Sequence, residues 1–247
     1  MAQLDLPTRH VQNANITPEA TDVLHHLGLS YSEANRAEIA SIFGNVKHGM
    51  GMPSTSILVH EVTKLLEHDG AYNAVYFRMG TSGGVGVDGG TVVISSEGLN
   101  HELKPIHYIP ILVQMHERPS TLDPVIAQEI AATFASLGLP HTIGKTLSCD
   151  DFYEEQGRLD GAICEYTNAD KMAYLQKAYD AGTRNIEMES HLFAAFCHKL
   201  HIPADVVCVT LLNRLDGDKI TQPHDVLESY DLRPMSVLLE YIKAKTT

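Results

Sequence analysis

Gln156 and Arg158 stand one residue apart in "DDFYEEQGRLDG", Asp150 to Gly161, with Phe152 just upstream. In an extended segment, side chains two apart share a side. A primary amide and a guanidinium aimed the same way form a planar array of donors and an acceptor, suited to a flat polar partner. The same residues would also suit a solvated surface loop, so other parts of the chain must decide.

Two further stretches carry groups for an anion and for hydroxyls. "FRMGTSGG", Phe77 to Gly84, reads as a strand running into a glycine-rich turn. Glycines let backbone N–H groups approach an anion. Arg78 adds a permanent forked charge, and Thr81 and Ser82 add hydroxyls. The lysine of a Walker A loop is absent. "NIEMES", Asn185 to Ser190, ends a strand with Glu187 and Glu189 on one side and Met188 on the other. Such a pair could be an acid–base couple, a metal site or a clamp for a diol. The nearby residues lack a histidine at ligand spacing, which argues against metal. Cys197, His198 and His201 on the following helix lack a fourth ligand, and the cysteine sits in an apolar run, so a packed helix is the better reading. "HGMGMPS", His48 to Ser54, is a second glycine-containing turn, and the helix N-terminus behind it is a weaker anion candidate.

These junctions need strands and helices to position them. "TSILVHEVTKLLEH" has helical periodicity, and "NAVYFRMG" and "GTVVIS" read as short strands. "DPVIAQEIAATFASLG" has Asp123 as N-cap, Pro124 at the first helical position and Gly138 as its stop. Strand "HTIGKTLS", helix "ADKMAYLQKAYDAG", "RNIEME", helix "SHLFAAFCHKLH", strand "DVVCVTLL" and helix "PMSVLLEYIKAK" follow. The interleaving predicts an α/β fold, a mixed central sheet flanked by helices, in a single domain over residues 1–247. Ligands in such folds sit where strands end.

Bulk properties narrow the classes. Of 247 residues, 44% are hydrophobic and 20% charged, as in ordinary globular proteins. The formal net charge of −13, with signs interspersed, argues against a nucleic-acid surface. Cys149, Cys164, Cys197 and Cys208 are widely spaced and read as buried free thiols in a reducing compartment. No apolar run reaches signal-peptide or membrane-spanning length, so the expectation is a cytoplasmic protein without membrane contact.

An anion loop, a diol carboxylate and a planar array match the phosphate, ribose and base of a nucleoside phosphorolysis. "HGMGMPS", "RMGTSGG", "DFYEEQGRLDGA", "NIEMES" and "VCVTLLNRLDGDKI" together resemble the nucleoside phosphorylase family, in particular its uridine phosphorylases of the dimeric animal type. The likeness runs from about His48 to Ile220, with a weaker match in "DVLHHLGLS". It implies phosphorolysis of uridine to uracil and ribose 1-phosphate in pyrimidine salvage, by a homodimer, with phosphate as co-substrate and no metal or organic cofactor. By the same resemblance Arg78 and Thr81 bind phosphate, with Ser82 beside them. Gln156 and Arg158 hold uracil, Phe152 packs on it, and Leu211, Leu212 and Ile220 line its pocket. Met188 and Glu189 contact the ribose, and His26 reaches the ribose across the dimer. Asn213 and Arg214 stand where purine-acting relatives carry an aspartate, which favours a pyrimidine. Catalysis would rest on Arg78, Gln156, Arg158 and Glu189.

The sequence departs from that family at one place. "SIFGNVK" runs directly into "HGMG", where relatives carry a Gly-Gly phosphate loop, an arginine and further strands. Reduced phosphorolysis is therefore expected. The alternatives are a catalytically impaired nucleoside-binding or dimer-partner protein of the same fold, and a nucleosidase that uses water.

Overall fold

The computed structural model describes residues 23–24, 29–30, 48–71 and 73–246, and the chain divides into two units, Met1–Val75 and Tyr76–Thr247. In the first unit β1 (Val23–Leu24) and β2 (Leu29–Ser30) form an antiparallel pair. Helix α1 (Met52–His68) begins after Gly51, which sits at φ 86°, and carries a proline in its first turn. The "HGMGMPS" turn thus leads into a helix as expected. His26 lies outside the described residues.

In the second unit the alternating pattern becomes β3 (Tyr76–Gly84), β4 (Val92–Leu99), β5 (Ile106–Ile111), β6 (Gln114–Pro119), α2 (Pro124–Ser136), β7 (His141–Ser148), α3 (Asn168–Asp180), β8 (Thr183–Glu187), α4 (Ser190–Leu200), β9 (Ala204–Asn213) and α5 (His224–Thr246). The mixed sheet closes on itself in the order β3-β8-β7-β4-β9. Parallel pairing joins β3 to β9, β4 to β7 and β7 to β8; β3–β8 and β4–β9 are antiparallel. Helices α2, α4 and α5 pack on the strands. Strand β9 explains the arrangement, because "ADVVCVT" is buried throughout, as a strand covered on both faces must be.

The local signals act where they were read. The Asp123 carboxylate accepts from the N–H groups of Val125 and Ile126, Pro124 opens α2, and Gly138 leaves it at φ 65°. Thr167 and Asp170 form a capping box on α3, which Gly182 ends at φ 94°.

Three expectations need correction, and one element goes beyond them. The glycines of "RMGTSGG" are not a turn: β3 runs through them, paired with β9 up to Ser82 and again at Gly84, with a shift of register between the two. A Cβ on Gly84 would lie 2.4 Å from the Val87 carbonyl oxygen and 2.9 Å from that of Leu212, so glycine serves close backbone packing there. Helix α5 starts at His224 and continues through Pro234, although a proline at that place suggested a helix start. The β5–β6 hairpin carries no local mark that predicted it. Cys149, Cys197 and Cys208 are buried free thiols, but Cys164 is exposed, on a loop outside any element. Among the described residues, no helix is long and apolar enough to cross a membrane.

Candidate functional site

Gln156 and Arg158 belong to the connection between β7 and α3. They lie on a turn rather than an extended segment, with Gly157 between them at φ 64°. The Asp151 carboxylate accepts from the N–H of Glu155, and Glu155 Oε2 accepts from the N–H groups of Asp150 and Asp151. The Tyr166 hydroxyl donates to the Arg158 carbonyl at 2.5 Å, and that of Tyr174 to the Glu155 carbonyl at 3.0 Å. Gln156 is buried, and the Arg158 guanidinium lies 3.9 Å over the Phe152 ring centroid. The buried Nε of Arg158 has no hydrogen-bond partner among the described residues. Burial, and then the neighbouring Arg214 guanidinium, lower the Arg158 pKa. A buried donor left without an acceptor is the setting in which a planar carbonyl-bearing ligand gains most.

The second cluster sits where β3, β8 and the start of α4 meet. Glu187 ends β8 and Glu189 caps α4 two residues later, and both reach Arg78. Nη1 of Arg78 is 2.8 Å from Glu187 Oε2, and Nη2 pairs with Glu189. Glu187 also accepts from Ser148 Oγ at 2.6 Å and from the N–H groups of Glu189 and Ser190. Burial pushes the Glu187 carboxyl up, but Arg78 and these donors outweigh it and hold it below its usual value. Burial likewise works against the Arg78 charge, yet Glu187, Cys208 and Glu189 raise its pKa overall. Cys208 stands 3.3 Å from Nη1, and burial pushes its thiol up to about 12, so it stays protonated.

The remaining predicted residues divide. Thr81 is exposed. Ser82 is buried and turned into the barrel, donating to the Val209 carbonyl and accepting from Asn185 Nδ2, which uses its only hydrogen inside the fold. Met188, Leu211 and Leu212 are partly buried, and Ile220 is 47% exposed. A cavity of about 520 Å³, of the size that holds a small ligand, is bordered by Asp88, Gly89, Leu211, Leu212, Asn213 and Asp218. Ile220, Gln156, Arg158 and Arg78 are not part of its lining. Cys197 is buried, His198 meets Thr121 at 2.9 Å, and His201 closes α4 at φ 54°. Among the described residues no three His, Cys, Asp or Glu side chains gather as a metal site.

Sequence reasoning gives Arg214 only a bias toward pyrimidines and does not single out Asp218 or Lys171. Arg214 is fully buried, contacts Gln156 and pairs with Asp218. A Cβ on Gly83 would meet its Cγ at 3.0 Å. The glycine run of β3 therefore lies directly against the side chain that holds the Gln156 turn. A buried arginine directly after a long apolar strand is the one sequence signal that could have marked it.

Comparison with known proteins points one way. The Phosphorylase superfamily profile matches residues 44–243. Uridine phosphorylase 1 of Mus musculus is 46% identical over 200 residues, covering 81% of this chain and 64% of the relative. A solved structure from work on two uridine phosphorylases of the oomycete Phytophthora capsici is 59% identical with a TM-score of 0.78, covering 81% of this chain and 68% of that one. Uridine phosphorylase of Schistosoma mansoni in complex with uracil is 42% identical with a TM-score of 0.77, covering 80% and 69%. The chain thus spans less than two thirds of the mouse relative's length.

Proposed function

Because the chain belongs to the phosphorylase superfamily, with uridine phosphorylases as its relatives, we propose that it cleaves uridine with phosphate to uracil and ribose 1-phosphate. The observation that carries this is the buried Gln156 two residues before Arg158, whose buried guanidinium Nε has no protein partner among the described residues. The uracil held by the schistosome relative supports the same assignment.

Uracil lies against Phe152 with its carbonyls and ring N–H on Gln156 and Arg158. As the bond from C1′ to the base breaks, the sugar takes on oxocarbenium character and negative charge moves onto uracil. Arg158 stabilises that charge as a preorganised donor. Glu189, with Met188 beside it, takes the ribose hydroxyls. Phosphate lies near Arg78 and Thr81 and attacks C1′. Leu211, Leu212 and Ile220 close the base side, and His26 comes from the second copy of a homodimer. The Ser82 hydroxyl is engaged inside the barrel and supplies no donor to the phosphate.

The phosphate step is the weak one. Arg78 already faces two carboxylates, Glu187 and Glu189, so a dianion meets a cluster that is net negative. Relatives add donors from the block that is shortened ahead of His48. Turnover below that of an uninterrupted relative is therefore expected, with poor saturation by phosphate.

Uracil release from uridine, measured across a phosphate titration with Arg158→Ala as control, tests the assignment. Phosphate-dependent release that falls in the variant supports it. Release that ignores phosphate makes the protein a nucleosidase. Uridine binding without release makes it a non-catalytic binding protein, and neither binding nor release rejects the base clamp. Light scattering of the purified protein tests the homodimer.

A further inference from the structure

The turn that carries Gln156 is not packed solid on every side. A cavity of about 220 Å³ lies beside it, bordered by Glu154, Glu155, Gly157, Tyr166, Lys171 and Tyr174. What reaches Gln156 from the rest of the fold is a chain of charges. Lys171, on α3 and 5% exposed, places Nζ 2.5 Å from Oδ2 of Asp218. The other oxygen, Oδ1, accepts from Nε of Arg214 at 2.6 Å. Arg214, 1% exposed, donates from Nη2 to the backbone carbonyl of Gln156 at 2.7 Å and from Nη1 to its Oε1 at 3.5 Å.

We propose that Lys171, acting through Asp218 and Arg214, is a positioning residue that fixes the Gln156 amide for the base; this rests on Gln156 and Arg158 being the uracil clamp. Asp218 sits on a loop with its side chain still 15% exposed, so a single cation would compete with water for it. Lys171 on one oxygen and Arg214 on the other hold the carboxylate between two buried donors, where ion pairs are screened least. Burial would push the Asp218 carboxyl up, but Lys171 and Arg214 hold it below its usual value. A carboxylate held this way orients the Arg214 fork. An amide free to turn over presents its oxygen or its nitrogen equally well, whereas a donor on Oε1 leaves Nε2 as the end turned toward a carbonyl. Lys171 itself touches no reacting group in this scheme.

Lys171→Met removes the anchor and keeps the chain length, Lys171→Arg restores a cation, and Asp218→Asn breaks the same link should the methionine variant not fold. In Lys171→Met the KM for uridine should rise about tenfold while that for phosphate stays within about twofold, as loss of one charge-assisted contact on the base side requires. Lys171→Arg should recover most of the loss. The side-chain amide signal of Gln156 in nitrogen-15 NMR, assigned by its absence in Gln156→Asn, reads the orientation without turnover. It should shift and broaden in Lys171→Met and return in Lys171→Arg. If the wild-type protein neither binds nor releases uracil, the uracil assignment fails while this signal still decides what Lys171 does. An unmoved Gln156 signal in a folded Lys171→Met or Asp218→Asn protein overturns the proposal, as do uridine and phosphate KM values that rise together.

Discussion

Acid should loosen this protein through His191, by an amount that follows from where the ring sits. His191 is 6% exposed in the first turn of α4, and its ring stands edge-on to that of His107 on β5 with centroids 4.7 Å apart. Burial, and then the His107 ring, push the His191 imidazole from 6.5 down to about 3, with Glu187 opposing and His101 adding to the shift. Between those values the unfolded chain binds a proton that the native state does not. Stability therefore falls as pH drops below about 6.5, and the loss levels off near pH 3. At pH 4 the gap is two and a half pH units at about 1.4 kcal/mol each, so about 3 kcal/mol. His107 is lowered too, by burial and by Arg118, so its shift acts in the same direction. The assay is urea unfolding of the wild-type protein and His191→Phe at pH 7 and pH 4. Phenylalanine keeps a ring in the space and cannot titrate, and carboxylates common to both proteins cancel in the difference. The variant should gain about 3 kcal/mol relative to wild type on going to pH 4. A difference that stays the same at both pH values would refute burial of His191 as a source of acid sensitivity.

Three other outcomes are expected. Glu189→Ala should weaken uridine by roughly ten- to a hundredfold, the worth of charge-assisted bonds to the sugar hydroxyls, and leave free uracil nearly unchanged; equal calorimetric losses for both ligands would reject the ribose role. Gly84→Ala should destabilise by about 1–3 kcal/mol, since its Cβ would press on two backbone carbonyls rather than on movable side chains, and a thermal melt within error of wild type would contradict the packing. Asp205→Asn should stabilise at pH 7. Burial, and then Asp123, raise the Asp205 carboxyl well above 3.8. The native state therefore keeps a proton that the unfolded chain releases, and the cost grows as pH rises above about 4. Paired melts at pH 4 and pH 7 should show the gain shrinking at the lower value, and a gain that grows in acid would exclude this cause.

Much of the fold was legible because its signals are local. The apolar run of β9, the Asp123–Pro124 start of α2 and the glycines that end α2 and α3 each act within a few residues, and the structure places all of them as read. "NIEMES" marks Glu187 and Glu189 as a pair, but β8 ends at Glu187, so the turn into α4 rather than a two-residue period carries Glu189 to Arg78. What could not be read locally depends on partners far away in the chain. The glycines of β3 look like a turn until β9 lies against them, and Ser82 looks like a free hydroxyl until Asn185 and the Val209 carbonyl take it. Lys171 meets Asp218 across 47 residues, and Arg214 meets Gln156 across 58. Periodicity and capping fix which residues form an element and which way they face. Only the closing of the strands into a barrel, through its register, decides which buried charges find each other.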